Sequence, residues 1–116
     1  MPPSNNPDRG RPGEPMTEID PRYERQMLVP ELGEAGQARL LRSRVLVAGC
    51  GALGSNQATL LVRAGVGHVR LADRDRLEPN NLHRQVLFDE DDLRAHRSKA
   101  EAAARKLRRI NSSVEV

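Results

Sequence analysis

The run Val45-Leu46-Val47-Ala48 leads directly into Gly49-Cys50-Gly51-Ala52-Leu53-Gly54 and then into a helix-compatible segment. A β-branched apolar strand, a G-x-G-x-x-G loop and a helix in that order leave few folds open. The context marks a nucleotide-binding turn rather than a chance spacing of glycines. Gly49 permits a tight turn, Gly51 lets backbone N–H groups come close to a phosphate, and Gly54 lets the helix pack close to the strand. The N-terminus of that helix adds unpaired N–H groups and the positive end of its dipole. Taken alone, the loop predicts an α/β fold with a dinucleotide or ATP site.

The surrounding pattern extends this unit. Arg44 to Ala48 reads as a continuous apolar strand, as expected where both faces of a parallel sheet are covered. Leu53 to Ala64 reads as a helix with Leu53, Leu60, Leu61 and Ala64 on its packed side, and Gly65 sits where a C-terminal cap belongs. Val66 to Ala72 reads as a second strand, so the pair predicts a right-handed parallel crossover. Asp73 closes that strand, where Rossmann-type units place an acid that accepts hydrogen bonds from ribose hydroxyls. Upstream, Gly33 to Ser43 reads as a short helix with Ala35, Ala38, Leu40 and Leu41 forming a buried stripe. Downstream, Arg74 to Asp89 is polar, contains Pro79 and is too rich in turn formers for regular structure. Asp91-Asp92 is expected to cap one long helix from about Leu93 to Ile110, where alanines dominate. Val114 to Val116 reads as the opening of a third strand. Two strands and a stump leave a sheet edge unpaired, so the sequence reads as the N-terminal part of a longer protein.

Composition narrows the class. A chain of 116 residues supports one small domain with a modest core. Met1 to Asp20 holds five of the eight prolines and few apolar residues, which predicts a disordered leader over 1–20. Neither a secretory h-region nor a bilayer-length apolar run is present. A single cysteine excludes an internal disulfide and a Cys-rich zinc site within these residues, and the default setting is cytoplasmic. The net charge is +3, with sixteen acidic residues interspersed among the basic ones. The only aromatics are Tyr23 and Phe88, too few for base stacking, so nucleic-acid binding is not favoured. Arg105, Lys106, Arg108 and Arg109 read as a solvated helix face. Cys50 reads as a small side chain turned into the fold rather than a nucleophile. His68 and His83 lack metal-ligand partners at suitable spacing.

Four polar groups are expected to converge on a phosphate site: Arg25, the glycine loop, the connection from Asp73 to Arg84, and Lys99. A triphosphate needs several preorganised cations because a leaving pyrophosphate gains charge. Arginine adds bidentate geometry, and lysine acts as a point charge. On the residues alone, blander readings stay open. The loop could be a ligand-free turn, Asp73 a turn cap, Asn81 and Arg84 parts of a solvated loop, and Lys99 an exposed residue at a helix start.

The order Arg22-Tyr23-Glu24-Arg25-Gln26, Gly49-Cys50-Gly51-Ala52-Leu53-Gly54, Asp73-Arg74-Asp75, Asn81-Leu82-His83-Arg84-Gln85 and Lys99 resembles the ThiF/MoeB/HesA family, bacterial relatives of the ubiquitin-activating enzymes. Ala64-Gly65-Val66-Gly67 and Arg109-Ile110-Asn111 are similar to the same pattern, so the resemblance covers roughly Pro21 to Val116. It implies that 21–116 is the N-terminal part of a Rossmann-like, E1-like adenylation domain. The implied activity is ATP- and magnesium-dependent adenylation of the C-terminal carboxylate of a ubiquitin-like or sulfur-carrier protein, with release of pyrophosphate.

By the resemblance, Asp73 would hold the ribose and the backbone near Gly51 and Ala52 would face the nucleotide. Asn81, Arg84 and Lys99 would contact the phosphates, with Gly49, Gly54, Asp75 and Asn80 completing the nucleotide site. Arg25 would reach into the site of a neighbouring subunit of a homodimer. The sequence departs from the family at Ala52, where many relatives carry glycine, and at Asn80, where serine is common. The family's magnesium-binding aspartate, zinc-binding cysteine pairs and catalytic cysteine would fall beyond position 116. The alternatives are a tRNA-modifying dehydratase of the same family, an NAD-dependent oxidoreductase that uses only Gly49 to Asp73, and an inactive half-domain that scaffolds.

Overall fold

The computed structural model describes residues 18–116. The expected disordered leader falls, up to residue 17, outside the described residues. The chain divides into two compact units, the first ending at Arg39 and the second running from Leu40 to Val116.

In the first unit, the Asp20 side chain accepts a hydrogen bond from the Arg22 N–H at 2.9 Å and caps a 3-10 turn, Pro21–Tyr23. The turn runs into the short helix α1, Glu24–Met27, which carries Arg25 with its side chain exposed. Helix α2, Gly33–Arg42, crosses into the second unit. The predicted stripe is only partly buried: Ala35 is exposed, Ala38, Leu40 and Leu41 are half-buried with Leu40 packed on the core, and the fully buried residues are Gly36 and Gln37. The Gln37 side chain is hydrogen-bonded to that of Gln26. Apolar periodicity cannot anticipate a helix that buries an amide through such a partner.

The second unit is built on a parallel pair. Strand β1, Arg44–Ala48, aligns with β2, His68–Ala72, in the register Val45 to Val69 and Val47 to Leu71. Helix α3, Ala52–Ala64, connects them and ends on Gly65, whose φ of +86° makes the left-handed cap expected of it. The second strand starts at His68 rather than Val66, because Val66 and Gly67 carry the chain from the helix cap into the sheet. Beyond β2, the Val69 N–H donates to the Glu115 oxygen at 2.8 Å, and the Glu115 N–H donates to the Gly67 oxygen at 3.0 Å. The last residues thus begin a parallel pairing on the far side of β2 from β1, and His68 faces Glu115 at 3.2 Å.

The core packs α3 and α5, Lys99–Ile110, against one face of this sheet, with Val47, Val62, Val69, Ala103, Leu107 and Val114 at its centre. Asn111 ties the two helices by donating to the Val62 oxygen at 3.0 Å. Two expectations are corrected here. Helix α3 buries Ser55, Ala58 and Val62, while Leu53 and Leu60 are 79% and 68% exposed. Likewise β1 is not covered on both faces within this unit, since Leu46 is 61% exposed. Leu46 and Leu60 instead line an open groove of about 580 Å³ beside β1.

The predicted long helix is also two helices. Helix α4, Glu90–Arg94, is capped by Asp89, and α5 is capped by Ser98, which accepts from the Glu101 N–H at 3.2 Å. His96, at a φ of +54°, makes the break between them. Helix propensity alone cannot separate them, because a capping serine outside the alanine run resets the start of α5. Among the described residues no helix is long and apolar enough to cross a membrane.

Candidate nucleotide site

The glycine loop joins β1 to α3, and each of its glycines meets a different constraint. Gly49 has a φ of +100°, where a side chain would be strained. A Cβ on Gly54 would lie 1.8 Å from the Gly49 carbonyl oxygen, so the helix can approach the strand only without one. Gly51 differs from both: its φ is −80°, and a Cβ there would meet no protein atom within 4 Å. Packing within this chain does not demand glycine at 51. Ala52 opens α3 beside it.

Asp73 fastens this loop to the end of β2. One carboxylate oxygen accepts from the Cys50 N–H at 2.7 Å, and the other accepts from the Asp75 N–H at 2.8 Å. Burial alone would raise the Asp73 carboxyl. The hydrogen bonds from Cys50 and Asp75, aided by Lys99 and Arg74, outweigh it and hold the group below the ordinary carboxylate value. Asp73 is thus an ionised acceptor that caps the turn, and a carboxylate has lone pairs beyond the two in use. Cys50 lies in the core as expected. Burial and the Asp73 charge push its thiol up, which is the opposite of what a nucleophile needs.

Past Asp73 the chain holds no α-helix or strand as far as Asp89, as its composition predicts, apart from one short turn. Pro79–Asn81 forms a 3-10 turn, held by Asn81, whose side-chain oxygen accepts from the Glu78 N–H at 2.8 Å. Asn81 is buried, and its amide group donates to the Asn80 side-chain oxygen at 3.2 Å. Arg84 is exposed and donates to the Asn80 main-chain oxygen at 2.7 Å, which leaves other guanidinium donors unused. Lys99 is the first residue of α5 and only 8% exposed, against the habit of lysines at helix starts. Its N–H donates to the Asp75 oxygen at 3.1 Å, and its amine stands 4.0 Å from the Asp75 carboxylate.

These residues surround one polar cavity of about 370 Å³, into which Asn80, Asn81, Arg84, Lys99 and Asp75 all contribute. The cavity thereby brings together Asp75, Asn80, Asn81, Arg84 and Lys99 of the predicted residues, whereas Asp73 and the glycine loop do not line it. Arg25 belongs to the first unit. Arg76 and Glu78 also line the cavity and escaped the sequence reading. Their signal is tertiary, since Arg76 pairs in antiparallel fashion with Ser98, far along the chain. Among the described residues no three His, Cys, Asp or Glu side chains cluster as a metal site would require.

Residues 23–116 match the ThiF family. The chain belongs to that family. The match extends well past the Gly49-to-Asp73 stretch that an NAD-binding unit would share. The chain is 52% identical over 95 residues to the sulfur carrier protein ThiS adenylyltransferase of Bacillus subtilis (strain 168), covering 82% of this chain and 28% of that protein. It is 54% identical over 94 residues to the adenylyltransferase and sulfurtransferase MOCS3 of Mus musculus, covering 81% of this chain and 20% of that one. Among solved structures, E. coli MccB with ATP superimposes with a TM-score of 0.75 at 37% identity, over 90% of this chain and 32% of that one. PaaA superimposes with a TM-score of 0.78 at 30% identity, over 93% of this chain and 36% of that one. The ThiF chain described here therefore spans between a fifth and roughly a third of these relatives. Its fold is the Rossmann-like α/β arrangement of the E1-like adenylation enzymes.

Proposed function

We propose that the protein carrying this chain is an ATP-dependent adenylyltransferase that activates the C-terminal carboxylate of a ubiquitin-like sulfur-carrier protein. The reading is carried by one observation: Arg84 and the buried Lys99 meet in a polar cavity beside the loop that Asp73 ties to β2. The names of the ThiF relatives from Bacillus subtilis and mouse support the same chemistry.

In this mechanism a carboxylate oxygen attacks the α-phosphorus of ATP. The bond from that phosphorus to the bridging oxygen breaks, its electron pair leaves with pyrophosphate, and an acyl-adenylate remains. Lys99 and Arg84 stabilise the charge that grows on the phosphates, where fixed cations in a partly desolvated cavity act more strongly than in water. Asp73 orients the ribose, and the backbone at Gly49, Gly51 and Ala52 faces the nucleotide while Gly54 holds α3 close. Asp75, Asn80 and Asn81 shape the cavity wall. The open space over Gly51 suits a ligand rather than a side chain.

Arg25 acts from a neighbouring subunit of a homodimer in a cytoplasmic enzyme. Magnesium would accompany the nucleotide's phosphates. Arg84→Ala in the intact protein should lower ATP–pyrophosphate exchange by about a hundredfold or more, as for loss of one charge-stabilising group. Near-normal exchange would refute the assignment.

A further inference from the structure

The polar cavity holds one cation that the adenylation reading does not use. Arg76 is exposed at its mouth, and its backbone is fixed by antiparallel pairing with Ser98. The neighbouring Lys99 N–H donates to the Asp75 oxygen at 3.1 Å, so residues 75–76 and 98–99 are fastened together. The Arg76 and Lys99 side chains therefore rise from adjoining, mutually anchored backbone. Lys99 is buried and stands 4.0 Å from the Asp75 carboxylate, and Arg84 is turned onto the Asn80 oxygen. Arg76 engages no side-chain hydrogen bond or ion pair among the described residues, although Asp75 and Glu78 share the cavity with it. A guanidinium held at the mouth beside a buried ammonium suits an anion that extends from the interior toward solvent.

We propose that Arg76 is a third cation of this site and binds the outer phosphates of the nucleotide, those that leave as pyrophosphate. The inference rests on the adenylation reading and extends it. Lys99 serves the buried end of the phosphate chain and Arg76 the solvent end, so Arg76 distinguishes a nucleoside triphosphate from a monophosphate.

The test is calorimetric titration of the intact protein and its Arg76→Gln and Arg76→Lys variants with ATP and with AMP, beside thermal melting and carrier titration. Arg76→Gln should weaken ATP about tenfold, the worth of one charge-assisted contact, and leave AMP within about twofold. Arg76→Lys should recover part of the loss, and melting should be unchanged. Equal loss of ATP and AMP, unchanged ATP binding, or a defect confined to the carrier protein would each overturn the proposal. If Arg84→Ala abolishes exchange while Arg76→Gln leaves ATP binding intact, only the role of Arg76 falls. If the unaltered protein binds neither nucleotide, both readings fall together.

Discussion

The glycine loop and the polar connection that follows β2 are joined through Asp73, yet they are held in different ways. In the loop, the protein's own packing fixes most positions: Gly49 by its positive φ and Gly54 by a carbonyl oxygen where a Cβ would sit. In the connection, side chains hold the backbone, with Asp73, Asn81 and Ser98 each bonding to nearby N–H groups. The loop is sterically determined at Gly49 and Gly54. The connection is determined by polar partners and keeps spare donors, such as those of Arg84.

The largest expected effect tests the rigid wall. Gly54→Ala forces a Cβ onto a backbone oxygen that cannot swing aside, so the intact protein should lose about 3 kcal/mol or more, or fail to fold. Gly51→Ala meets open space, and the loss should stay near ~1 kcal/mol, the worth of glycine over alanine at a helix N-cap. Urea denaturation of both variants decides the matter. Equal damage at the two positions would break the contrast between glycines held by packing and the one that faces open space.

An intermediate effect is expected where the two regions join. Asp73→Ala leaves the Cys50 and Asp75 N–H groups without their acceptor, which should cost about 2 kcal/mol as well as nucleotide affinity. Lost affinity at unchanged stability would show that Asp73 serves the ligand and not the joint.

The smallest effect lies at the far end of the connection. The Lys106 ammonium, 2.8 Å away, and the Asp92 N–H hold the Asp89 carboxyl down to about 2. A carboxyl depressed in the folded state stabilises fully above its ordinary value near ~3.9, and this contribution fades as pH falls toward about 2. Asp89 is 46% exposed, so the pair should contribute less than about 1 kcal/mol. Asp89→Asn keeps a capping side chain and loses the ion pair. Its melting temperature should fall slightly below that of the parent at pH 7, and the gap should close as pH drops from about 4 to about 2. A gap that persisted through that range would mean that the difference does not come from the charge on Asp89.

The strands, the loop and the αL cap at Gly65 were legible because each follows from constraints local in sequence. β-branched residues favour an extended chain, and a tight turn or a left-handed cap favours glycine. The order of motifs from Tyr23 to Lys99 was equally legible and sufficed to indicate the ThiF family. What the one-dimensional pattern misjudged was direction. Leu53 and Leu60 were assigned to the core, yet α3 turns Ser55, Ala58 and Val62 inward. The reason is that Gly54 and Ala58 let the helix press close to the strand, and small residues rather than leucines occupy such an approach.

The tertiary structure alone decided the rest. Lys99 is buried because Asp75 draws the start of α5 against the connection, and Arg76 reaches the cavity because it pairs with Ser98. Those partners are separated by more than twenty positions in the chain, and nothing in the local sequence predicts which residues will meet. The sequence by itself determined the kind of unit this is, a β–loop–α–β turn. Only the fold decided which cations share the polar cavity, since burial and long-range pairing depend on how the segments pack together.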